Sequence, residues 1–323
     1  MTRKFFKMKK LAIGIDIGGT NSKFGIADRE GNIIFQSRIK TQNYPNFQSQ
    51  IKALKEEIEK LHPLDDVVGI GVGAPNANFY KGTIEYPPNL PWEGVSHYAA
   101  EVRDVFDKKC VMTNDASAAA LGEKVYGNAK DMDDFIVITI GTGLGGGVYS
   151  NGDLITGKHG LAGELGHTLV NANGRFCGCG KRGCLETYVS ATGIRRTVYK
   201  LLADYTDPSI LRTIPFNDLS TKTISEAADN GDKIAIEAFN YTGRILGMKL
   251  SDFVVHTDPE TVFLLGGLAN AGDHIFVPAQ ENLEKYLMPL FLKKNIQIKP
   301  SGLKDDDAPI LGASSLVWKY LDN

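Results

Sequence analysis

The chain has 323 residues, enough for two domains of ordinary size that each bury a hydrophobic core. Its hydrophobic content of 42% and charged content of 23% are those of a soluble globular protein, and a net charge of -2 gives no broad attraction to nucleic acid or to anionic membranes. The basic opening MTRKFFKMKK lacks the apolar core of a signal peptide, and no stretch approaches the roughly 20 apolar residues of a membrane span. We therefore expect a short leader and a soluble, cytoplasmic protein.

The first part of the chain alternates strand and helix patterns. Apolar side chains alternate between Leu11 and Ile17, as in a strand with two distinct faces. The predicted elements are strand, glycine turn, strand, tight turn and strand over residues 11–34, a helix over 46–61, a strand over 65–75, a helix over 95–106, and a buried strand leading into an Ala-rich helix over 110–127. Short joins between such elements are typical of an α/β domain.

Residues 135–155 partly repeat the first hairpin. FIVITIGTGLGGGVYSNGDLI echoes GIDIGGTNSKFGIADREGNII, with a strand, a glycine-rich turn ending in Thr, a strand, a Gly turn and a third strand. Asp16 corresponds to Thr139, and Thr20 corresponds to Thr142. The repeat predicts two related α/β lobes whose glycine turns face one cleft. Beyond it we predict mainly helices over 190–256, a strand ending in glycines over 260–267, and a closing amphipathic helix over 310–321.

A cysteine cluster predicts a zinc site. Cys177, Cys179 and Cys184 have C-x-C-x4-C spacing, and His167 precedes the first of them by ten residues. These are the four ligands of a closed tetrahedral zinc site, which holds structure and leaves no open position for chemistry. Disulfides would require an oxidising compartment, so the alternative is a set of reduced, unmetallated cysteines. The remaining cysteine, Cys110, lies in an apolar run and is predicted to be a core residue.

Two glutamates flank the zinc ligands. Glu164 lies three residues before His167, a spacing that puts both side chains on one face of a helix, and Glu186 follows the last cysteine. If His167 gives one ring nitrogen to zinc, its other nitrogen can meet a ligand hydroxyl. The metal would then fix carboxylates that are suited to recognising hydroxyl groups.

Two glycine turns can present backbone N–H groups to phosphate oxygens without obstruction by Cβ atoms. They are Gly18-Gly19-Thr20 and the run from Gly141 to Gly147. Residues 141–146 also match G-x-G-x-x-G, but a strand follows where the dinucleotide fingerprint needs a helix, so we reject that interpretation. The alternative is that both hairpins simply need glycine.

Asp115 ends a buried strand and begins a helix, with Asn114 beside it. An ordinary N-cap would explain an Asp there. The position also lies at the strand end where open α/β sheets bind ligands, and the positive helix end would keep Asp115 ionised. Such a carboxylate could accept a hydroxyl proton during phosphoryl transfer, for which a weak base suffices.

Taken together, these segments resemble the ROK family of sugar kinases and repressors, whose larger relatives include hexokinase and actin. The resemblance covers nearly the whole chain and rests on DIGGTNSKFG (16–25), TNDASAAALGE (113–123), ITIGTGLGGGV (138–148), HGLAGELGH (159–167), CGCGKRGCLE (177–186) and LLGGLANAG (264–272). It implies two ribonuclease-H-like lobes of actin/hexokinase type around a central cleft. The smaller lobe would comprise residues 1–117 and 308–323, and the larger, zinc-bearing lobe residues 118–307.

The resemblance also implies an activity and its residues. The protein would be a homodimeric, ATP-dependent hexose kinase that uses Mg²⁺ and a structural Zn²⁺, with Asp115 as the general base acting on the sugar 6-hydroxyl and Asp16 holding hydrated magnesium. The implied sugar ligands are Asn76, Asn89, Asn114, Asp115, Glu164, His167 and Glu186. The implied ATP contacts are Asp16, Gly18, Gly19, Thr20, Asn21, Lys23, Thr142, Gly143, Gly266 and Gly267, and the implied zinc ligands are His167, Cys177, Cys179 and Cys184.

One departure from the family pattern leaves the substrate open. The family usually has Pro-Gly after the strand that ends at Pro75, whereas this chain has Asn76 there and Asn78 two residues later, in a loop that borders the sugar. Glucose is the first choice, and N-acetylglucosamine or N-acetylmannosamine is the alternative. A sugar-responsive repressor is a remote alternative, because such proteins carry a DNA-binding domain ahead of the first glycine turn and fewer than a dozen residues precede that strand here.

Overall fold

The computed structural model describes residues 10–322, so residues 1–9 of the expected leader lie outside the described residues. Contacts divide the chain into two units. Unit 1 comprises the residues up to Lys130, Thr156–Ala162 and the residues from Gly302 onward, and unit 2 comprises Asp131–Ile155 and Gly163–Ser301. The expected boundary at residues 117/118 falls inside a helix, and the observed division after Lys130 leaves that helix whole.

The described residues form an α/β fold. The strands are β1 (Leu11–Ile17), β2 (Asn21–Asp28), β3 (Ile33–Lys40), β4 (Val67–Gly73), β5 (Ala77–Asn78), β6 (Thr83–Glu85), β7 (Val95–Ser96), β8 (Cys110–Thr113), β9 (Phe135–Ile140), β10 (Leu144–Ser150), β11 (Asp153–Leu154), β12 (Thr261–Leu265) and β13 (Gln297–Pro300). The α-helices are α1 (Phe47–Leu61), α2 (Tyr98–Phe106), α3 (Asp115–Val125), α4 (Ala191–Asp204), α5 (Thr221–Asp229), α6 (Lys233–Thr257), α7 (Asp273–Tyr286), α8 (Pro289–Leu292) and α9 (Ala308–Tyr320). None of these helices combines the length and the apolar character that crossing a membrane requires.

Each unit contains one five-stranded sheet, and the two sheets have the same topology. Their strand orders are β3-β2-β1-β4-β8 and β11-β10-β9-β12-β13. In chain order, the first three strands of each sheet are antiparallel to one another in sequence. The last two strands of each sheet run parallel to its first strand, which is β1 in unit 1 and β9 in unit 2. Each unit also has its own hydrophobic core. The repeat predicted from residues 135–155 is therefore confirmed as a repeat of the whole sheet.

A small antiparallel sheet in unit 1 has no counterpart in the sequence predictions. It consists of β5, β6 and β7, which are two or three residues long. Strands this short show no readable alternation of apolar and polar side chains. The sheet carries the loop that contains Asn76, which makes it relevant to the candidate site.

Helix α9 lies directly on the sheet of unit 1 across a row of glycines. Gly14 of β1 is in register with Gly25 of β2 and with Gly71 of β4. A Cβ atom on Gly14 would lie 2.3 Å from the carbonyl oxygen of Ile310, and one on Gly71 would lie 1.8 Å from that of Ala313. Because no side chain separates the helix from the strands, this packing fixes the positions of β1 and β4 relative to α9. The first candidate site residues lie at the ends of these two strands.

The variant Gly71→Ala tests this packing. The new methyl group would overlap the backbone of α9, so the helix must shift, and overpacking of this kind costs about 1–3 kcal/mol of unfolding free energy. Gly73→Ala on the same strand is the matched control, because its Cβ would meet its nearest atoms at 3.5 Å, an ordinary contact. Urea unfolding should show a loss for Gly71→Ala alone. Equal losses in the two variants would contradict direct helix-to-strand packing.

Candidate functional site

Unit 1 brings two carboxylates together at the ends of β1 and β8, the two strands on either side of β4. Asp16 lies near the end of β1 and is in register with Gly73 of β4. Asp115 is the first residue of α3 and follows β8, the strand next to β4. A Cβ on Gly73 would lie 3.5 Å from both Asp16 Oδ1 and the Cα atom of Asp115. The glycine thus leaves open the space between the two acids.

Both acids have raised pKa values. Burial raises the pKa of Asp16 from 3.8 to about 7, the negative charge of Asp115 adds to the shift, and Lys23, opposite Asp16 on β2, opposes it. Asp115 keeps an accessible surface, yet the protein atoms around it displace enough water to raise its pKa as well. The N–H of Ala116 offsets part of that shift by donating to Asp115 Oδ1 at 2.8 Å. Loss of hydration is thus the larger of the opposing effects on the pKa of Asp115.

Asn114, and not Asp115, caps helix α3. Asn114 Oδ1 accepts the N–H of Ala116 at 2.9 Å. This removes the simplest explanation for an acid at position 115, since the cap is already provided by its neighbour.

The first glycine turn (residues 18–20) joins β1 to β2 beside these acids. The N–H of Gly18 donates to the carbonyl of Asn21 at 3.1 Å and closes the turn. A Cβ on Gly19 would lie 2.7 Å from the carbonyl oxygen of Asn89, so the segment containing Asn89 lies against the turn. Lys23 also approaches Asp306, with 3.9 Å between Nζ and Oδ1.

The two asparagines that depart from the family pattern are engaged with the backbone. Asn76 has a left-handed backbone with φ of 52°, and its Nδ2 donates to the carbonyls of Glu85 and Tyr86 at 3.1 and 3.0 Å. Asn78 is buried, its Nδ2 donates to the carbonyl of His159 and to Glu85 Oε1, and its Oδ1 accepts two backbone N–H groups. Both therefore stabilise the small sheet.

The four predicted zinc ligands of unit 2 converge. Their ligand atoms all lie within 4.8 Å of one another. Cys179 Sγ lies 3.6 Å from Cys184 Sγ, and Cys177 Sγ lies 3.6 Å from His167 Nδ1. A tetrahedral zinc ion with Zn–S bonds of about 2.3 Å has S–S edges of about 3.8 Å and S–N edges of about 3.5 Å. We call these residues the zinc cluster, and their donor atoms and spacing fit a structural zinc ion.

Tight backbone turns form the loop of the zinc cluster. Gly180 and Gly183 have φ of 85° and 77°, and a Cβ on Gly183 would lie 1.7 Å from the carbonyl oxygen of Asn171. Side chains at these positions would push the loop open, which explains the glycines between the cysteines.

Two glutamates, Glu164 and Glu186, lie beside the zinc cluster. His167 Nδ1 faces Cys177, while its Nε2 lies 3.8 Å from Glu164 Oε2. Glu164 precedes a 3-10 turn, Leu165–His167, that replaces the expected helix, and the spacing still brings the two side chains together. Glu186 Oε1 lies 3.2 Å from Cys177 Sγ, and Glu186 Oε2 accepts the N–H of Leu144 at 3.3 Å.

Glu186 therefore joins the zinc cluster to the second glycine turn (residues 141–143). A Cβ on Gly143 would lie 2.5 Å from Glu186 Oε2, so only glycine allows this contact. The carbonyl of Gly141 accepts the N–H of Ala191, the first residue of α4, at 2.9 Å. Thr142, at the tip of the turn, is exposed.

Gly266 and Gly267 follow β12 in the same unit. Gly266 has φ of 105°, and a Cβ there would lie 2.7 Å from the carbonyl oxygen of Ile140. A Cβ on Gly267 would meet Thr221 Oγ1 at an ordinary 3.6 Å. Gly266 is thus required by the close approach of β9, whereas Gly267 leaves space without being required by the fold.

Sequence reasoning missed Arg175, which braces the segment after Glu186. Its guanidinium donates to the carbonyls of Thr187 and Gly193 at 2.9 Å and lies 4.6 Å from the ring centre of Tyr188. A lone arginine two residues before a cysteine motif carries no signal by itself, so only the structure reveals this role.

Known proteins match this chain over almost its whole length. The ROK family model matches residues 12–320. A glucokinase of Thermotoga maritima is 32% identical over 308 residues, covering 94% of this chain and 96% of that protein. The solved structure of a ROK family glucokinase from Streptomyces griseus in complex with glucose and AMPPNP is 30% identical, has a TM-score of 0.82 and covers 96% of this chain and 99% of its own. A xylose repressor of Caldicellulosiruptor bescii is 27% identical over 94% of this chain and 77% of its own length.

The zinc cluster makes a prediction about metal content. The purified chain should contain about one zinc ion, and Cys179→Ser should lose it, since a four-ligand structural site loses most of its affinity with one thiolate. Cys110→Ala, which changes a buried cysteine outside the cluster, is the control and should keep the metal. Elemental analysis after dialysis measures both variants. Zinc-free wild-type protein with full activity would contradict the structural role.

The raised pKa of Asp16 predicts a pH-dependent stability. A carboxyl group with a pKa of 3.8 when unfolded and about 7 when folded binds more protons in the folded state, so stability falls as pH rises between these values. Asp16→Asn removes this penalty. The variant should therefore gain melting temperature relative to wild type at pH 8 and gain less at pH 5, in buffer without magnesium or nucleotide.

Asp104→Asn serves as the control for Asp16→Asn, because Asp104 is an exposed carboxylate on α2. Its difference in melting temperature from wild type measures the effect of removing one exposed negative charge at each pH. If the difference for Asp16→Asn varied with pH no more than this control, the buried-acid interpretation would be wrong.

Proposed function

The chain belongs to the ROK family and is an ATP-dependent sugar kinase, and from this premise we propose that it phosphorylates the 6-hydroxyl of glucose with Asp115 as the general base. The observation that carries the choice of glucose is the similarity, over 96% of the chain, to a relative solved with glucose and AMPPNP. The chemistry of the two units supports the reaction. Unit 1 supplies paired carboxylates and a glycine turn. Unit 2 supplies side chains that would bind sugar hydroxyls and a second glycine turn.

Asp115 has the properties of a weak general base. In phosphoryl transfer the attacking hydroxyl loses its proton late, because the transition state is loose, so a carboxylate is basic enough. The raised pKa of Asp115 brings it closer to neutral pH, where a base that accepts and releases protons is most effective. Asn114 next to it would orient the sugar by hydrogen bonding.

Sugar hydroxyls would be held by Glu164, His167 and Glu186. Ionised carboxylates accept several hydrogen bonds, and a site built on such contacts discriminates strongly against analogues that lack the hydroxyl group. When bound, zinc would supply a rigid anchor for Cys177, Cys184 and His167, which sets the positions of the neighbouring glutamates. Asn89, on the segment that packs against Gly19, is a further sugar ligand in this proposal.

The nucleotide phosphates would lie against the two glycine turns. The N–H groups of Gly19, Thr20 and Gly143 would donate to phosphate oxygens, with Asn21, Lys23 and Thr142 adding polar contacts. Asp16 would hold hydrated magnesium, which neutralises charge that develops on the phosphoryl group. Gly266 and Gly267 would let the backbone approach the adenosine.

The second candidate is an N-acetylhexosamine kinase. It is favoured by Asn76, whose side chain stands where the family usually has glycine and alters the loop that would border the sugar. The proposal further includes a cytoplasmic homodimer, the state implied by the family resemblance, which light scattering of the purified chain would test as a mass near twice 35.2 kDa.

A sugar panel decides between the two candidates. Glucose, mannose, fructose, N-acetylglucosamine and N-acetylmannosamine are compared in one coupled ATP assay. We expect kcat/KM for glucose to exceed that for either N-acetylhexosamine by at least about tenfold, the scale of discrimination that a misplaced substituent produces. A higher value for an N-acetylhexosamine would replace glucose as the substrate and leave the reaction intact.

The variant Asp115→Asn tests the general base. It keeps the size and the hydrogen-bonding capacity of the side chain but cannot accept the proton, so kcat should fall by roughly 10²- to 10⁴-fold while sugar binding is largely kept. Asp104→Asn on α2 is the control and should keep wild-type kcat. Turnover of Asp115→Asn within a few fold of wild type would remove Asp115 from this role.

A further inference from the structure

The first glycine turn is held by two consecutive residues that follow β3. Thr41 Oγ1 donates to the carbonyl of Gly18 at 2.6 Å, and the backbone N–H of Thr41 donates to the carbonyl of Thr20 at 3.0 Å. Gln42 Nε2 donates to the carbonyl of Gly19 at 2.7 Å. All three carbonyl groups of the turn are therefore directed toward residues 41 and 42.

This arrangement sets the direction of the N–H groups. In a planar trans peptide the carbonyl of one residue and the N–H of the next point in opposite directions. Holding the carbonyls of Gly18 and Gly19 therefore turns the N–H groups of Gly19 and Thr20 to the other side of the turn. Among the hydrogen bonds of residues 10–322, none uses these two N–H groups, so they remain available to an anion.

A chain of hydrogen bonds links Thr41 Oγ1 to three other buried side chains. Tyr98 Oη donates to Gln50 Oε1 at 2.9 Å, Gln50 Nε2 donates to Ser22 Oγ at 2.8 Å, and Ser22 Oγ lies 2.8 Å from Thr41 Oγ1. Because the single hydroxyl hydrogen of Thr41 goes to Gly18, Ser22 must be the donor in the last contact. The bonds thus run in one direction, from Tyr98 to the carbonyl of Gly18.

The four side chains of this buried relay (Ser22, Thr41, Gln50 and Tyr98) are 0% exposed. Polar groups inside a core are tolerated only when they are hydrogen-bonded, and an apolar set of similar shape would stabilise the core at least as well. Burial also holds the pKa of Tyr98 well above its ordinary value, so the tyrosine stays a donor at any working pH. A relay whose groups are all satisfied gives its last member a single orientation.

We propose that the buried relay and Gln42 position the N–H groups of Gly19 and Thr20 for the phosphates of ATP, which makes Thr41 a positioning residue for nucleotide binding. The inference rests on the proposed function, because the anion is taken to be the nucleotide. Thr41 does not touch the nucleotide and acts only through the turn.

The variant pair Thr41→Val and Thr41→Ser separates positioning from packing. Valine keeps the shape and the backbone N–H but removes the hydroxyl, whereas serine keeps the hydroxyl. We expect Thr41→Val to weaken MgATP binding by about tenfold, the effect of one lost buried hydrogen bond, with KM for the sugar within twofold of wild type. Thr41→Ser should restore MgATP affinity to within about threefold of wild type.

Gln42→Ala provides a second measurement that does not disturb the core. Gln42 is exposed, so this variant is expected to fold like wild type and to weaken MgATP binding in the same direction as Thr41→Val. Dissociation constants for MgATP come from isothermal titration calorimetry below the melting temperature of each variant, and the KM values for ATP and sugar come from the coupled assay.

Unchanged MgATP affinity in Gln42→Ala and in folded Thr41→Val would overturn the inference, as would an equal loss of ATP and sugar affinity in Thr41→Val that serine does not reverse. A failure of the proposed function would look different, because the wild-type chain itself would then bind no MgATP. That result would remove the inference together with the kinase assignment.

Discussion

The interaction on which the rest of unit 1 depends is an unfavourable one, the approach of Asp16, near the end of β1, and Asp115, which follows β8 on the other side of β4. Burial raises the pKa of Asp16 to about 7, and repulsion from the carboxylate of Asp115 adds to the shift. The surrounding structure over-determines their positions, because α9 packs on the strands through glycine at Gly14 and Gly71, and Gly73 leaves room between the acids. A costly arrangement held in this way is typical of a functional site.

The two glycine turns show how one topology can be supported by different means. In unit 1 the turn is hydrogen-bonded to a buried relay of neutral side chains. In unit 2 the corresponding turn is held by Glu186 and by the start of α4, and the position of Glu186 depends in turn on the zinc cluster and on Arg175. The repeat therefore conserves backbone geometry, while the side chains that stabilise it differ between the units.

The sequence was sufficient for features with a local signal. The strands with alternating apolar residues, the hairpin repeat and the cysteine spacing each predicted what the structure contains, because their residues are close along the chain. Residues 273–300 received no prediction, since α7 contains Pro278 and β13 is only four residues long. The buried relay was also missed, because Ser22, Thr41 and Gln50 are polar, lie far apart in sequence and resemble surface residues. The raised pKa of Asp115 was not predicted, because the hydration of a side chain depends on atoms that come together only in the fold.

The most direct test of the paired acids is a carbon-13 NMR titration of the aspartate carboxyl groups in the chain without magnesium or nucleotide. We expect one aspartate, assigned by Asp16→Asn, that titrates about three pH units above an ordinary carboxyl group and moves to a lower pKa in Asp115→Asn. An Asp16 that titrates near 3.8, or whose pKa is unaffected by neutralising Asp115, would contradict the coupling of the two acids.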